Sequence, residues 1–131
     1  MVAGYSVGGA LAFYYAANAG GWGVPRPSAA YSIFPIDPVS MDPGLLHLGP
    51  PPRIPSLILV GDRDANVGSA GGTAFRRWLT PVPKRLKTYR LLHSSLFFDH
   101  ESPTDVFDAA IRKVFWSPLD GMIAKARGDV S

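Results

Sequence analysis

The sequence predicts an α/β protein built on one mostly parallel sheet of about four strands flanked by helices. Three observations carry that expectation. Short apolar runs alternate with helix-like stretches along the 131 residues, in the order strand, helix, strand, connector, strand, helix, strand, helix. Such alternation is what parallel strands joined by crossover helices require. Residues 57–60 (LILV) form a continuous apolar run, the pattern of a strand covered on both faces. Residues 4–9 (GYSVGG) place glycines around a single serine between the first apolar segment and the first helix, the composition of a tight strand-to-helix turn.

Taken in order, residues 1–4 read as the end of a strand. Residues 8–19 are Ala-rich, carry Phe13, Tyr14 and Tyr15, and predict a buried helix stopped by Gly20 and Gly21. A Gly/Pro loop over 20–28 leads into a β-like run over 29–36, ended by Pro35. The connector over 37–56 is too long and too rich in proline for a simple loop, and is read as a lid or a surface excursion. After the strand at 57–60 comes a polar, Gly-rich stretch over 61–72 and a short helix over 73–79. Residues 85–92 alternate in character, as expected of a strand nearer an edge. Val106, Ala109, Ala110 and Val114 stand at helical spacing within 103–116, with Pro103 in the first turn; 118–126 predicts a further helix. No internal repeat is present.

Composition limits the function classes. Hydrophobic residues make up 47% of the chain and charged residues 18%, a globular balance with one modest core. With no cysteine there is neither a disulfide framework nor a thiolate metal site. The net charge is +3, and Arg76, Arg77, Lys84, Arg85, Lys87 and Arg90 cluster within 76–90. That cluster is read as a solvated helix face and strand flank, with an anion-binding patch as the alternative. It lacks the aromatic interleaving of a nucleic-acid surface, so no nucleic-acid partner is expected. No apolar run reaches the length of a membrane span. Ala17-Asn18-Ala19 resembles a signal-peptidase site, but no Lys or Arg precedes Arg26, so a secretory leader is not expected and the location expected is cytoplasmic. Residues 4–9 lack the G-x-G-x-x-G spacing and the lysine of a phosphate-binding loop.

The chemistry-bearing residues begin with Ser6. The pattern G-x-S-x-G, entering a helix from a strand, is that of a nucleophile elbow. The serine is held strained and exposed, and the helix N-terminus faces the point where negative charge would develop. The strand at 57–60 runs into Gly61-Asp62-Arg63-Asp64-Ala65-Asn66-Val67-Gly68. Functional groups of open α/β sheets sit just beyond the carboxyl ends of strands. An acid there can fix an imidazole tautomer and stabilise imidazolium. Asp62 and Asp64 compete for that role; Asp64 is read as the acid, and Asp62 as a helix cap or Asx-turn former. His93 adjoins the last strand, and His100 lies in the loop FFDHESP; either could be a general base. His47, in the Pro-rich connector and ahead of the acid, is set aside.

These segments resemble the α/β-hydrolase superfamily from the nucleophile elbow onward. GYSVGG matches the elbow, LILVGDRDANVG the acid strand and loop, and FFDHESPTD the histidine loop, in the family's order Ser, Asp, His. The resemblance covers nearly the whole chain and implies a truncated hydrolase domain equivalent to strands five to eight. It implies Ser6, Asp64 and His100 as the triad, favouring the second aspartate of the acid loop and the Asp-His-x-x-Pro histidine. It implies the Val7 N–H as an oxyanion donor, a small-molecule ester or acyl substrate, and no metal or organic cofactor. Phe97, Phe98 and the connector would border the substrate. The family's second oxyanion donor comes from the loop after the third strand, which has no counterpart here; loss of one such donor costs about 100- to 1,000-fold in rate. A sheet cut at its middle would also expose an edge strand and an apolar helix face, inviting self-association. A catalytically inactive or partner-dependent fragment is the alternative expectation.

Overall fold

The computed structural model of the chain describes residues 1–40, 48–93, 99–104 and 108–128. Four strands, β1 (Val2–Tyr5), β2 (Ala30–Ile33), β3 (Ser56–Gly61) and β4 (Lys87–Leu92), form one sheet in the order β1-β2-β3-β4. All three pairings are parallel, with Tyr5 opposite Ile33, Ile33 opposite Leu59, and Gly61 opposite Leu92. The C-terminal ends of β1, β2 and β3 therefore lie side by side, and the loops leaving them converge.

Helices cover both faces. Helix α1 (Val7–Asn18) follows β1 directly, and α2 (Ala70–Trp78) follows the β3 loop. Phe13 and Tyr14 of α1 and Phe75 of α2 pack with Ala30, Ile58 and Val60 on one face of the sheet. On the other face Tyr31, Ile33, Leu57 and Leu59 pack against Ile111 and Phe115 of the C-terminal helices. This is the period-2 alternation of a strand buried on both sides, and every residue of β2 and β3 is buried. β4 alternates half-buried and exposed residues, as its place at the end of the sheet requires. β1 is the other end, and beside it α1 leaves Val7 47% and Leu11 43% exposed, one helical turn apart.

The structure differs from expectation in the last third of the chain. Pro103 does not open a helix; it lies in a single 3-10 turn, Ser102–Thr104, where Asp99 Oδ1 accepts from the Ser102 N–H and hydroxyl. The helix α3 (Ala109–Ile111) begins where Asp108 caps it, accepting from the N–H groups of Ala110 and Ile111. Nor does Pro118 break the run. A π-helical stretch, Arg112–Trp116, leads straight into α4 (Ser117–Arg127). Proline has no N–H to donate, and the wider turn ahead of it lets the helix continue. β4 begins at Lys87 because residues 84–86 form a 3-10 turn. In the connector, Leu48 and Ile54 pack on the α1/α2 core, and Trp78 Nε1 donates to the Gly49 carbonyl at 2.9 Å. The central part of the expected lid, with His47, lies outside the described residues.

Candidate functional site

Ser6 occupies the single residue between β1 and α1, at φ 57° and ψ −122°. A non-glycine residue with positive φ is strained by roughly 1–3 kcal/mol, and persists only where its surroundings fix it. Here they do so through the main chain. Ser6 N–H donates to Ile33 O at 2.9 Å, and its carbonyl accepts from Gly9 at 3.0 Å and from Ala10 and Ile36 at 3.3 Å. The turn is tight enough that a Cβ on Gly4 would stand 1.9 Å from the Gly8 carbonyl oxygen. The second glycine of the motif, Gly8, does not share this crowding. A Cβ on Gly8 would meet open space, whereas one on Gly9 would lie 2.8 Å from Ser32 Oγ and 3.0 Å from Ile33 O. The crowding has moved one residue along because Gly9 is the position that faces β2.

The β3 loop brings Asp64 to the same end of the sheet. Its two carboxylate oxygens do different things. Oδ1 accepts from the N–H groups of Asn66 at 3.0 Å and Val67 at 2.9 Å, the Asx-type turn that shapes the loop. Oδ2 lies 2.8 Å from His100 Nδ1. The Asx-type turn expected of Asp62 is thus made by Asp64, whose one side chain both shapes the loop and faces the imidazole. His100 Nε2 lies in turn 3.0 Å from Ser6 Oγ. A carboxylate can only accept, so the proton of a neutral His100 sits on Nδ1 and Nε2 is free to accept from the serine hydroxyl. Asp64 is 6% exposed and His100 9%, so this chain of contacts runs mostly out of water, where its electrostatics are stronger.

The competing residues pair with each other. His93 Nδ1 lies 3.4 Å from Asp62 Oδ2 at the ends of β4 and β3, but the His93 side chain is 77% exposed. The imidazole in contact with Ser6 Oγ is that of His100. Phe97 and Phe98 lie outside the described residues.

Two further residues, Tyr5 and Phe34, pack against the imidazole. Tyr5, the last residue of β1, donates its hydroxyl to the His100 carbonyl at 2.5 Å and places its ring 5.0 Å from the imidazole. Its pKa is raised, first by burial and then by the nearby Glu101, Asp64 and Asp99 carboxylates, so the phenol stays a donor. Its place beside Ser6 in the motif was the available signal. Phe34, fully buried at φ 46°, packs its ring 6.2 Å from that of His100. No sequence pattern marks a phenylalanine for positive φ.

The N-terminus of α1 completes the geometry. Among the described residues the Val7 N–H has no acceptor, and Val7 itself is exposed. It is one of the orphan donors of a helix start, with the positive end of the helix dipole behind it. Also among the described residues, no group of three or more His, Asp or Glu could hold a metal ion, and no helix is long and apolar enough to cross a membrane.

No protein-family model matches the chain, and no curated protein matches it. Its fold is similar to that of MGS-M1, described as an alpha/beta hydrolase enzyme from a Medee basin deep-sea metagenome library, with a TM-score of 0.61 at 17% sequence identity. The match covers 95% of this chain and 52% of that one, so the chain spans about half the length of MGS-M1. A likeness at this identity is one of fold.

Proposed function

We propose that the chain is a serine hydrolase acting on an ester or related acyl bond through an acyl-enzyme. The observation that carries this reading is the continuous contact from Asp64 Oδ2 through His100 to Ser6 Oγ, at 2.8 and 3.0 Å, ending on a serine at positive φ. Hydrogen bonds to a base that is itself oriented by an acid are what a hydroxyl needs to become a nucleophile near neutral pH.

In this reading Ser6 Oγ attacks the acyl carbonyl while His100 Nε2 takes its proton. Asp64 holds the imidazole in the receptive tautomer and stabilises the imidazolium that forms. The carbonyl oxygen becomes an oxyanion beside the Val7 N–H, with the α1 dipole aligned behind it. His100 returns the proton to the leaving group, and the acyl-Ser6 intermediate forms. Water, deprotonated by the same imidazole, then releases the acid. Tyr5 acts as a positioning residue, because it anchors the main chain of His100 to β1.

A second reading has its own support. β1 ends the sheet, α1 exposes Val7 and Leu11 beside it, and the chain spans about half of MGS-M1. In that reading the chain is the half of the fold from the nucleophile elbow onward, and lacks activity without a segment that pairs with β1 and supplies a second oxyanion donor. A single assay separates the two. Stopped-flow hydrolysis of p-nitrophenyl acetate and butyrate should give a burst of up to one equivalent followed by turnover, abolished in Ser6→Ala. A folded chain with no burst on either ester would reject the first reading in favour of the second.

A further inference from the structure

Residues 65–98 contain six Lys and Arg and no Asp or Glu, in a chain whose net charge is only +3. The fold gathers part of that charge around a cavity of about 370 Å³ between α2 and the N-terminal half of β4, at the end of the parallel sheet away from Ser6. Arg76, Lys84 and Lys87 line it, with Ile58, Leu79 and Tyr89, and no lining residue carries a carboxylate. The three cations are held differently. Lys87 Nζ donates to the Leu79 and Thr80 carbonyls, both at 2.8 Å, and so caps the end of α2. Arg76 Cζ lies 5.0 Å from the centroid of the Tyr89 ring, within cation–π reach. Lys84 stands on the 3-10 turn, exposed and without an ion pair among the described residues.

We propose that this cavity is a second binding site, specific for a multiply charged phosphate group on a small molecule. Arg76 and Lys84 are the contacting cations, and Lys87, tied to two carbonyls, adds fixed positive charge. Three physical arguments converge. A concave site lined by one sign of charge against apolar walls focuses the field within it, unlike the same charges on a convex face. Ile58 and Leu79 are each 1% exposed and supply those walls. A guanidinium already held against a ring has given up part of its side-chain freedom, so less remains to be lost when it binds a phosphate group. Nucleic acid fits less well, because its backbone is tracked by an extended groove rather than one cavity.

The test is calorimetric titration of the intact chain with inorganic pyrophosphate at constant ionic strength. One saturable site is expected. Arg76→Gln/Lys84→Gln should bind at least tenfold more weakly, while Arg112→Gln/Arg127→Gln, which removes the same charge from exposed positions on the C-terminal helices, should bind within twofold of wild type. Should the first double variant fail to fold, Lys84→Gln alone changes only an exposed turn residue and is expected to weaken binding threefold or more. Absence of saturable binding would overturn the proposal. So would equal losses in the two double variants, or a single-stranded oligonucleotide that binds more tightly than pyrophosphate with the same dependence on Arg76 and Lys84.

Discussion

Replacing Asp64 by Asn tests the role of the acid with almost no change of shape, and the structure sets bounds on the effect. Asp64 Oδ1 accepts two main-chain N–H bonds, from Asn66 and Val67, and Oδ2 faces His100 Nδ1. An asparagine keeps both loop bonds only if its carbonyl takes the Oδ1 position. Its NH₂ then points at His100 Nδ1, which must accept. The proton moves to Nε2, facing Ser6 Oγ, and the imidazole can no longer take the serine proton. In that state the loss should approach the roughly 10⁴-fold seen when a triad acid is amidated and the wrong tautomer results. The opposite rotamer restores the tautomer but turns the NH₂ toward two N–H donors. Two hydrogen bonds are lost, at about 1 kcal/mol each, with donor–donor repulsion in addition. At about 2–3 kcal/mol that rotamer is populated roughly one part in 30 to one in 150, since 1.36 kcal/mol is tenfold. Asp64→Asn should therefore lose between about 30-fold and 10⁴-fold in the acylation rate, with KM little changed. The assay is the stopped-flow burst with p-nitrophenyl acetate, with circular dichroism and thermal midpoints as controls for folding. Asp62→Asn should stay within about twofold of wild type, because its partner His93 is solvated and surface ion pairs contribute little. A burst rate for Asp64→Asn within threefold of wild type, in a protein of unchanged fold, would refute the reasoning.

Other consequences follow from the same contacts. Gly4→Ala should destabilise the fold by about 1–3 kcal/mol or more, because its Cβ meets the Gly8 carbonyl oxygen, which cannot swing aside; Gly8→Ala, within α1 and facing open space, should gain about 0.5–1 kcal/mol. Urea denaturation of both variants checks the pair, and equal destabilisation would count against the turn geometry. Tyr5→Phe keeps the ring beside His100 but unties its carbonyl, and should lower kcat about tenfold, the worth of one hydrogen bond of roughly 1–1.5 kcal/mol, with KM and the pH profile unchanged. A matching rise in KM would point instead to a substrate contact. Burial raises the pKa of Tyr31, with Arg90 pulling weakly the other way, and also raises that of Tyr5. Both are raised above the unfolded value, so their contribution to stability is complete below about pH 10 and is lost as pH climbs through the folded values. Thermal midpoints should fall steeply above pH 10, and less steeply in Tyr31→Phe, although that variant is less stable at neutral pH for want of the bond to the Phe115 carbonyl.

Much of this architecture was legible in the residues because the signals were local. The continuous run at β3 announced a strand buried on both faces, and the alternation of β4 announced an edge. The order Ser, Asp, His left Asp62 and His93 in competition with Asp64 and His100, and the resemblance favoured the pair that the structure joins to Ser6 by hydrogen bonds. What escaped depended on contacts across the sheet. Nothing in GYSVGG says that Gly9 rather than Gly8 meets β2, or that the Tyr5 hydroxyl reaches a residue 95 positions away. The helix expected from Pro103 failed because Pro103 sits in a 3-10 turn of its own, closed by the Thr104 N–H donating to the Glu101 carbonyl, and Asp108 caps the helix that begins at Ala109. The basic cluster read as a solvated face shows the same limit. Its charge was visible, but the cavity lined by three of its six cations exists only once α2 packs beside β4.

The central claim is that Ser6 is an activated nucleophile. Its most direct test is labelling of the purified chain with a fluorophosphonate probe, read by intact mass beside Ser6→Ala and His100→Ala. The account predicts one adduct on the wild-type chain, mapped to Ser6, with none on Ser6→Ala and labelling slowed at least 100-fold in His100→Ala. A folded wild-type chain that takes up no probe, or an adduct that persists in Ser6→Ala, would contradict it.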